Sequence, residues 1–240
     1  MQLAHHHEVV AVDINPVQIA YVKRRLAGSS MERGTAERIV TFGRTLAPLV
    51  GWKKARLKFF LDLDDPKEQI TYWRSHLDTR RFRAAFDIVF SRSSLRAIYS
   101  TSFLDCLPPN FGAVLRGRME RCFGLHSNRR NPYARELLLG EIRSVPVPER
   151  IQLECADAAA FLESQPAGSF TGFSLSNILD GANPAYEHRL LAAVKHAAAS
   201  EALVVLRSFR KSESSAKKNY ASQDRSILWG RVEICPAEAF

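Results

Sequence analysis

The sequence predicts an α/β fold: a mostly parallel sheet with helices on its faces, and a large helical insertion after the first strand-helix unit. Three observations carry this. Short apolar runs at the start of the chain and again after residue 150 alternate with helical patterns, the rhythm of a parallel sheet covered by helices. Residues 30 to 149 read mainly as helices with little strand character. The 240 residues are 46% hydrophobic and 25% charged, which excludes a collagen-like, low-complexity or wholly disordered chain.

The elements follow in order. Glu8-Val-Val-Ala-Val-Asp-Ile-Asn-Pro16 is a β-branched run ending in Asp13 and a turn. In the helix that follows, Asn15 can cap, Pro16 suits the first turn, and Ile19, Val22 and Leu26 share a face. In the insertion, Asp65-Pro66 opens a helix carrying Ile70, Trp73 and Leu77. Arg81 to Leu104 carries Phe82, Phe86, Val89 and Phe90, and Asn131-Pro132 begins a short helix that Gly140 can end. From Arg150 the spacing predicts strand Ile151 to Cys155, helix Ala158 to Glu163, strand Phe170 to Leu175, helix Pro184 to His196 and strand Ala202 to Leu206. Arg210 to Gln223, rich in Ser and Lys, reads as a loop. Two short strands, Ile227 to Trp229 and Arg231 to Ile234, then finish the sheet in antiparallel fashion. The expected division is therefore 1–29 and 150–240 for the α/β part, with 30–149 as insertion.

Lys and Arg number 34 against 25 Asp and Glu, a net charge of +9. That excess favours anionic partners. No run approaches the ~18 apolar residues of a spanning helix, and Met1 to His7 lacks the basic and apolar regions of a signal peptide. The expectation is a cytoplasmic protein with a peripheral position at a membrane surface. Cys106, Cys122, Cys155 and Cys235 form no C-x-x-C pair, so neither a zinc knuckle nor a redox dithiol is expected.

In wound sheets, ligands bind beyond the carboxyl ends of the strands, where an acidic residue commonly holds ribose hydroxyls. Asp13 fits that role, although the same pattern arises from simple helix capping. Asp157 follows the next strand of the α/β rhythm and can meet an adenine amine or cap the helix after it. The two gain weight together, because a sheet would bring both to one edge. Ser176, Asn177 and Asp180 end a third strand, where polar groups orient ligands or make an Asx turn.

Four blocks carry a family resemblance: Val10-Ala-Val-Asp-Ile-Asn-Pro-Val-Gln18, Asn131-Pro-Tyr133 with Leu137-Leu-Leu-Gly140, Phe173-Ser-Leu-Ser-Asn-Ile-Leu-Asp180, and Asp224-Arg-Ser-Ile-Leu-Trp-Gly230. Together they resemble the S-adenosylmethionine:diacylglycerol 3-amino-3-carboxypropyltransferases of betaine-lipid synthesis and their bacterial relatives. The resemblance implies a class I methyltransferase-like (Rossmann-like) sheet that binds S-adenosyl-L-methionine, with Asp13 on the ribose and Asn15 and Gln18 in the turn beside it. Asp157, Ala158, Ser176 and Asn177 complete the expected cofactor set, and Asp180, Arg207, Tyr220 and Arg225 stand on the acceptor side. The implied reaction moves a 3-amino-3-carboxypropyl group to a lipid or lipid-like hydroxyl, with no metal. The family's first strand and Gly-rich turn have no counterpart between Met1 and His7, so the resemblance implies a shortened form or a fragment.

Two other functions stay open: methyl transfer on the same fold, and a non-catalytic chain that binds a nucleoside or an anionic surface. The clusters Lys53-Lys54-Ala-Arg56 with Lys58, and Arg80-Arg81-Phe-Arg83, can touch phosphates or lipid headgroups, or be solvated helix faces. Nucleic acid is disfavoured, since no RNA-binding module pattern is present. Phe59, Phe60, Phe82, Phe86 and Phe90 either line an acceptor pocket or make core. His5-His6-His7 gives no fixed ligand geometry. No Ser-His-Asp order, P-loop or H-E-x-x-H motif points to a hydrolase, an NTPase or a zincin.

Overall fold

The computed structural model describes residues 2–27, 35–141, 150–210 and 218–240. After a 3-10 turn at Gln2–His5, strand β1 spans Val9–Asp13 and helix α1 spans Pro16–Leu26. Asn15 caps α1 by accepting from Val17 N, and Pro16 sits in the first turn, where its missing N–H leaves no bond unmade. Ile19 is buried and Val22 and Leu26 are half-buried, as the shared face predicts.

Every element between α1 and the next strand is helical among the described residues. These are α2 (Thr35–Leu46) with a 3-10 turn at Ala47–Val50, α3 (Lys54–Asp62), α4 (Pro66–Tyr72) continued by a π turn at Trp73–Leu77, α5 (Arg80–Val89), α6 (Arg92–Leu95), α7 (Thr101–Asp105), α8 (Phe111–Leu125) and α9 (Pro132–Leu139). Asp65 and Asn131 cap α4 and α9, and Gly140 closes α9 with φ 74°, a left-handed conformation that glycine adopts without a Cβ clash. The apolar stretch from Arg81 to Leu104 forms three helices. Ser91 accepts from Ser94 N and Ser100 accepts from Phe103 N, so each serine starts a new helix. The apolar pattern ran through positions where local side-chain bonds to the backbone win.

The helices enclose an aromatic core of Trp52, Phe60, Trp73, Phe82 and Phe123, with Leu57, Leu61 and Leu77. The buried Gln69 amide ties it together. Gln69 Nε2 donates to Phe123 O at 2.5 Å and His126 O at 2.8 Å, while its Oε1 accepts from Asn128 N at 2.8 Å. Phe60 and Phe82 therefore belong to the core rather than to an acceptor pocket, and Phe86 packs against them. Phe59 alone of the expected lining turns outward, beside a hollow of about 500 Å³ walled by Leu63, Lys67, Tyr72 and His76.

Strand β2 (Ile151–Cys155) pairs in parallel with β1, in a register that sets Asp13 opposite Cys155. Helix α10 (Ala158–Glu163) leads to β3 (Phe170–Ser176), helix α11 (Pro184–Ala197), β4 (Ala198–Ser208) and β5 (Arg231–Pro236). β4 is parallel to β3 and antiparallel to β5. The strands thus form a pair and a triplet rather than one continuous sheet. Helices α10 and α11 cover one face of the triplet, packing Ala159, Leu162, Leu190 and Val194 on Phe173, Leu175, Val204 and Leu206. On the opposite face Leu203 and Ile234 are exposed.

The strand expected at Ile227 to Trp229 is absent. Ile227 has φ 75°, which breaks an extended ladder, and its side chain is buried in the helical core. Its apolar character reflects that packing, not pairing. Most of the loop expected after Arg210 lies outside the described residues. Where the chain resumes, Tyr220 N donates to Val232 O at 2.7 Å.

Candidate functional site

The parallel register of β1 and β2 decides which residues share an edge. Asp13 closes β1 beside the carboxyl end of β2, and Ala156 N donates to Asp13 O at 3.2 Å. Asp157 follows at once. The two aspartates expected on one edge therefore stand side by side, because parallel pairing aligns strand ends.

The carboxylates differ in what they already hold. Asp13 Oδ1 accepts from Asn15 N at 2.7 Å, an Asx turn that fixes the approach to α1. Its Oδ2 takes no hydrogen bond among the described residues, and the side chain is exposed. Asn15 and Gln18 are exposed beside it. Asp157 caps α10 by accepting from Ala160 N at 2.8 Å and lies 3.4 Å from Arg189 Nη1, with the Tyr186 phenol nearby. Burial, reinforced by the neighbouring Asp157 carboxylate, pushes the Tyr186 phenol up to about 12. Tyr186 stays protonated across the ordinary pH range.

Helix α11 also meets this edge. Tyr186 and Arg189 lie in the first turns of α11, just beyond β3, and face Asp157 at the end of β2. Glu163 and Arg189 add a paired contact at 2.8 and 2.6 Å, and the guanidinium holds the Glu163 carboxyl below its usual range. Tyr186 and Arg189 were not expected from sequence. They are one helical turn apart, which reveals a shared face but not the carboxylate it meets.

At the end of β3, Ser176 and Asn177 are exposed, and Asn177 adopts φ 48° while its N–H donates to Arg207 O at 2.8 Å. Asp180, expected beside the acceptor, turns inward. Its side chain is fully buried; Oδ1 accepts from Ser208 Oγ at 2.5 Å, and Oδ2 from Phe209 N at 3.0 Å. It fastens the end of β4. Arg207 lies on the face of the triplet away from α10 and α11, donating to Ser174 Oγ at 3.1 Å.

Tyr220 and Arg225 are placed elsewhere. Tyr220 runs beside β5, and Arg225 is held at the helical core, where its carbonyl accepts from the buried Asn131 Nδ2 at 3.1 Å. Near that junction Arg118, buried on α8, donates to Leu228 O and Phe209 O, and burial lowers its guanidinium to about 10. Arg118 joins the helices to the strands, a role that no local motif signals. Gly230 packs against it so closely that a Cβ there would sit 2.2 Å from Arg118 Nη2.

No group of three or more His, Cys, Asp or Glu able to hold a metal occurs among the described residues. No helix among them is long and apolar enough to cross a membrane. Comparison with known proteins returns no match, whether to family models, to curated proteins or to solved structures.

Proposed function

We propose that the chain is an S-adenosylmethionine-dependent transferase that moves a 3-amino-3-carboxypropyl group to a lipid-like hydroxyl. The observation that carries this reading is the adjacency of Asp13 and Asp157 at the carboxyl ends of two parallel strands. In wound sheets that is where a nucleoside lies, with a strand-end carboxylate on its ribose. The fold reading that goes with it treats the strand pair and triplet as two halves of a class I methyltransferase-like, Rossmann-like sheet. In support, α10 touches β1 and also packs beneath Phe173 and Leu175 of β3.

The fit of the nucleoside differs between the two aspartates. Asp13 suits it, since its Oδ2 can accept from a ribose hydroxyl while Oδ1 keeps the Asx turn. Asp157 already serves the α10 cap and Arg189, so its part in this reading is to hold the edge rigid. When bound, S-adenosylmethionine would supply the electrophilic carbon beside its sulfonium, with Asp13 holding the ribose and Ser176 and Asn177, at the end of β3, meeting the amino-acid portion. The chain's contribution is placement of the reactants in line.

Titration calorimetry of the full chain with S-adenosylmethionine tests this. Asp13→Ala should weaken binding by about 1–3 kcal/mol, the scale of a hydrogen bond to a charged group. Absence of binding by the folded wild-type chain, or unchanged affinity in the variant, overturns the assignment. Product analysis then decides which carbon is transferred: methylthioadenosine supports aminocarboxypropyl transfer, and S-adenosylhomocysteine replaces it with methyl transfer.

A further inference from the structure

The helix α2 and the turn after it present an apolar stripe to solvent. Phe42, Leu46 and Leu49 are 64%, 42% and 71% exposed. Their spacing of four and three residues aligns them on one side. The opposite side is the docked one. Arg44 reaches across to cap the end of α9, with Nε 3.0 Å from Leu137 O and Nη2 2.7 Å from Glu136 O, while Ala47 and Val50 pack on the aromatic core. The stripe is thus outward because the inward face is already occupied.

The segment that carries the stripe is basic between Glu37 and Asp62. From Arg38 to Leu61 the sequence holds Arg38, Arg44, Lys53, Lys54, Arg56 and Lys58, and neither Asp nor Glu. Arg44 and Arg56 bind backbone carbonyls of the fold. Arg38, Lys53, Lys54 and Lys58 are exposed. Exposed Phe and Leu bordered by cations on a docked helix is the pattern of an interfacial element, whose apolar side chains enter the acyl boundary while the cations meet headgroup phosphates.

We infer that α2, its following turn and the start of α3 form a docking face for an anionic phospholipid bilayer. A second copy of the chain is a poorer occupant, because a two-fold contact would set this positive surface against itself. Nucleic acid would satisfy the cations but leave Phe42 and Leu49 unused. The inference goes beyond the transfer reaction and needs no cofactor, so the two stand or fall separately.

The experiment is co-sedimentation of the full chain with vesicles, without S-adenosylmethionine. Vesicles of equal parts phosphatidylglycerol and phosphatidylcholine should bind, and vesicles of phosphatidylcholine alone should not. The pair Phe42→Ser with Leu49→Ser, and the pair Lys53→Glu with Lys54→Glu, should each weaken binding at least about tenfold, since each juxtamembrane cation accounts for roughly fivefold. All four positions are exposed, and unchanged thermal unfolding confirms that the variants fold. The inference is overturned if the wild type stays in the supernatant, or if the serine pair binds as tightly as the wild type. It is equally overturned if the wild type forms dimers that the serine pair abolishes, which assigns the stripe to a second copy.

Discussion

The helical body and the β1–β2 ribbon are built on opposite terms. The helices fully enclose Phe60, Leu61, Trp73, Leu77 and Phe123, whereas no residue of β1 or β2 is buried. The ribbon's Val9, Val10, Ala11 and Val12 are all only partly covered. Global stability therefore does not reside in the ribbon, and the edge bearing Asp13 belongs to a region that opens at lower free energy. A ligand closing over that edge would order the ribbon far more than the body.

Substitutions at four positions probe that contrast. Trp73→Ala, in the middle of the aromatic core, should cost about 3–5 kcal/mol in urea denaturation and lower the whole transition. Val12→Ala, removing half-buried surface, should cost no more than about 1 kcal/mol. If the two costs were equal, stability would not be divided as described. Asp180→Ala should fall between these two, at roughly 2–3 kcal/mol, because it strands the Ser208 hydroxyl and the Phe209 N–H in a buried site. Asp157→Ala should cost only about 1 kcal/mol as a lost cap, with Asp157→Asn retaining much of it. A much larger loss would mean that Tyr186 and Arg189 hold this edge more firmly than capping alone.

The smallest effect is one of pH. Burial is the main cause that lowers the His126 imidazole below its ordinary 6.5, with the Arg225 charge adding to it. The folded form thus resists protonation more than the unfolded chain. Its contribution to stability is complete above 6.5, and is lost as pH falls from there through the depressed folded value. His126→Gln should flatten the acid side of the stability profile, measured by urea midpoints across that range. An unchanged slope would place the acid sensitivity elsewhere.

Sequence made legible what depends on local chemistry. The bounds of β2 and α10 follow from an alternating apolar run and a capping aspartate, and the adjacency of Asp13 and Asp157 follows once parallel pairing is assumed. Asp180 shows where that reasoning ends. A carboxylate after a strand looks ligand-facing, but its partners Ser208 and Phe209 lie 28 and 29 residues away in sequence. Ile227 was misread for a similar reason, since an isoleucine filling a distant helical core and one pairing in a sheet carry the same apolar signal. The break at Ser91 and Ser100 was readable in principle: each serine precedes a helix-forming stretch and offers its oxygen three residues on. Apolar periodicity concealed it.

The division of the strands into a pair and a triplet also decides how the chain meets other polypeptides. β1 pairs only with β2 and β3 only with β4 among the described residues, so each has one flank with no strand partner there. Val9 to Val12 carry neither charge nor proline to guard that flank. An extended stretch of foreign chain laid there would gain ladder hydrogen bonds at once, and concentrated solutions of the protein should begin to associate along this seam.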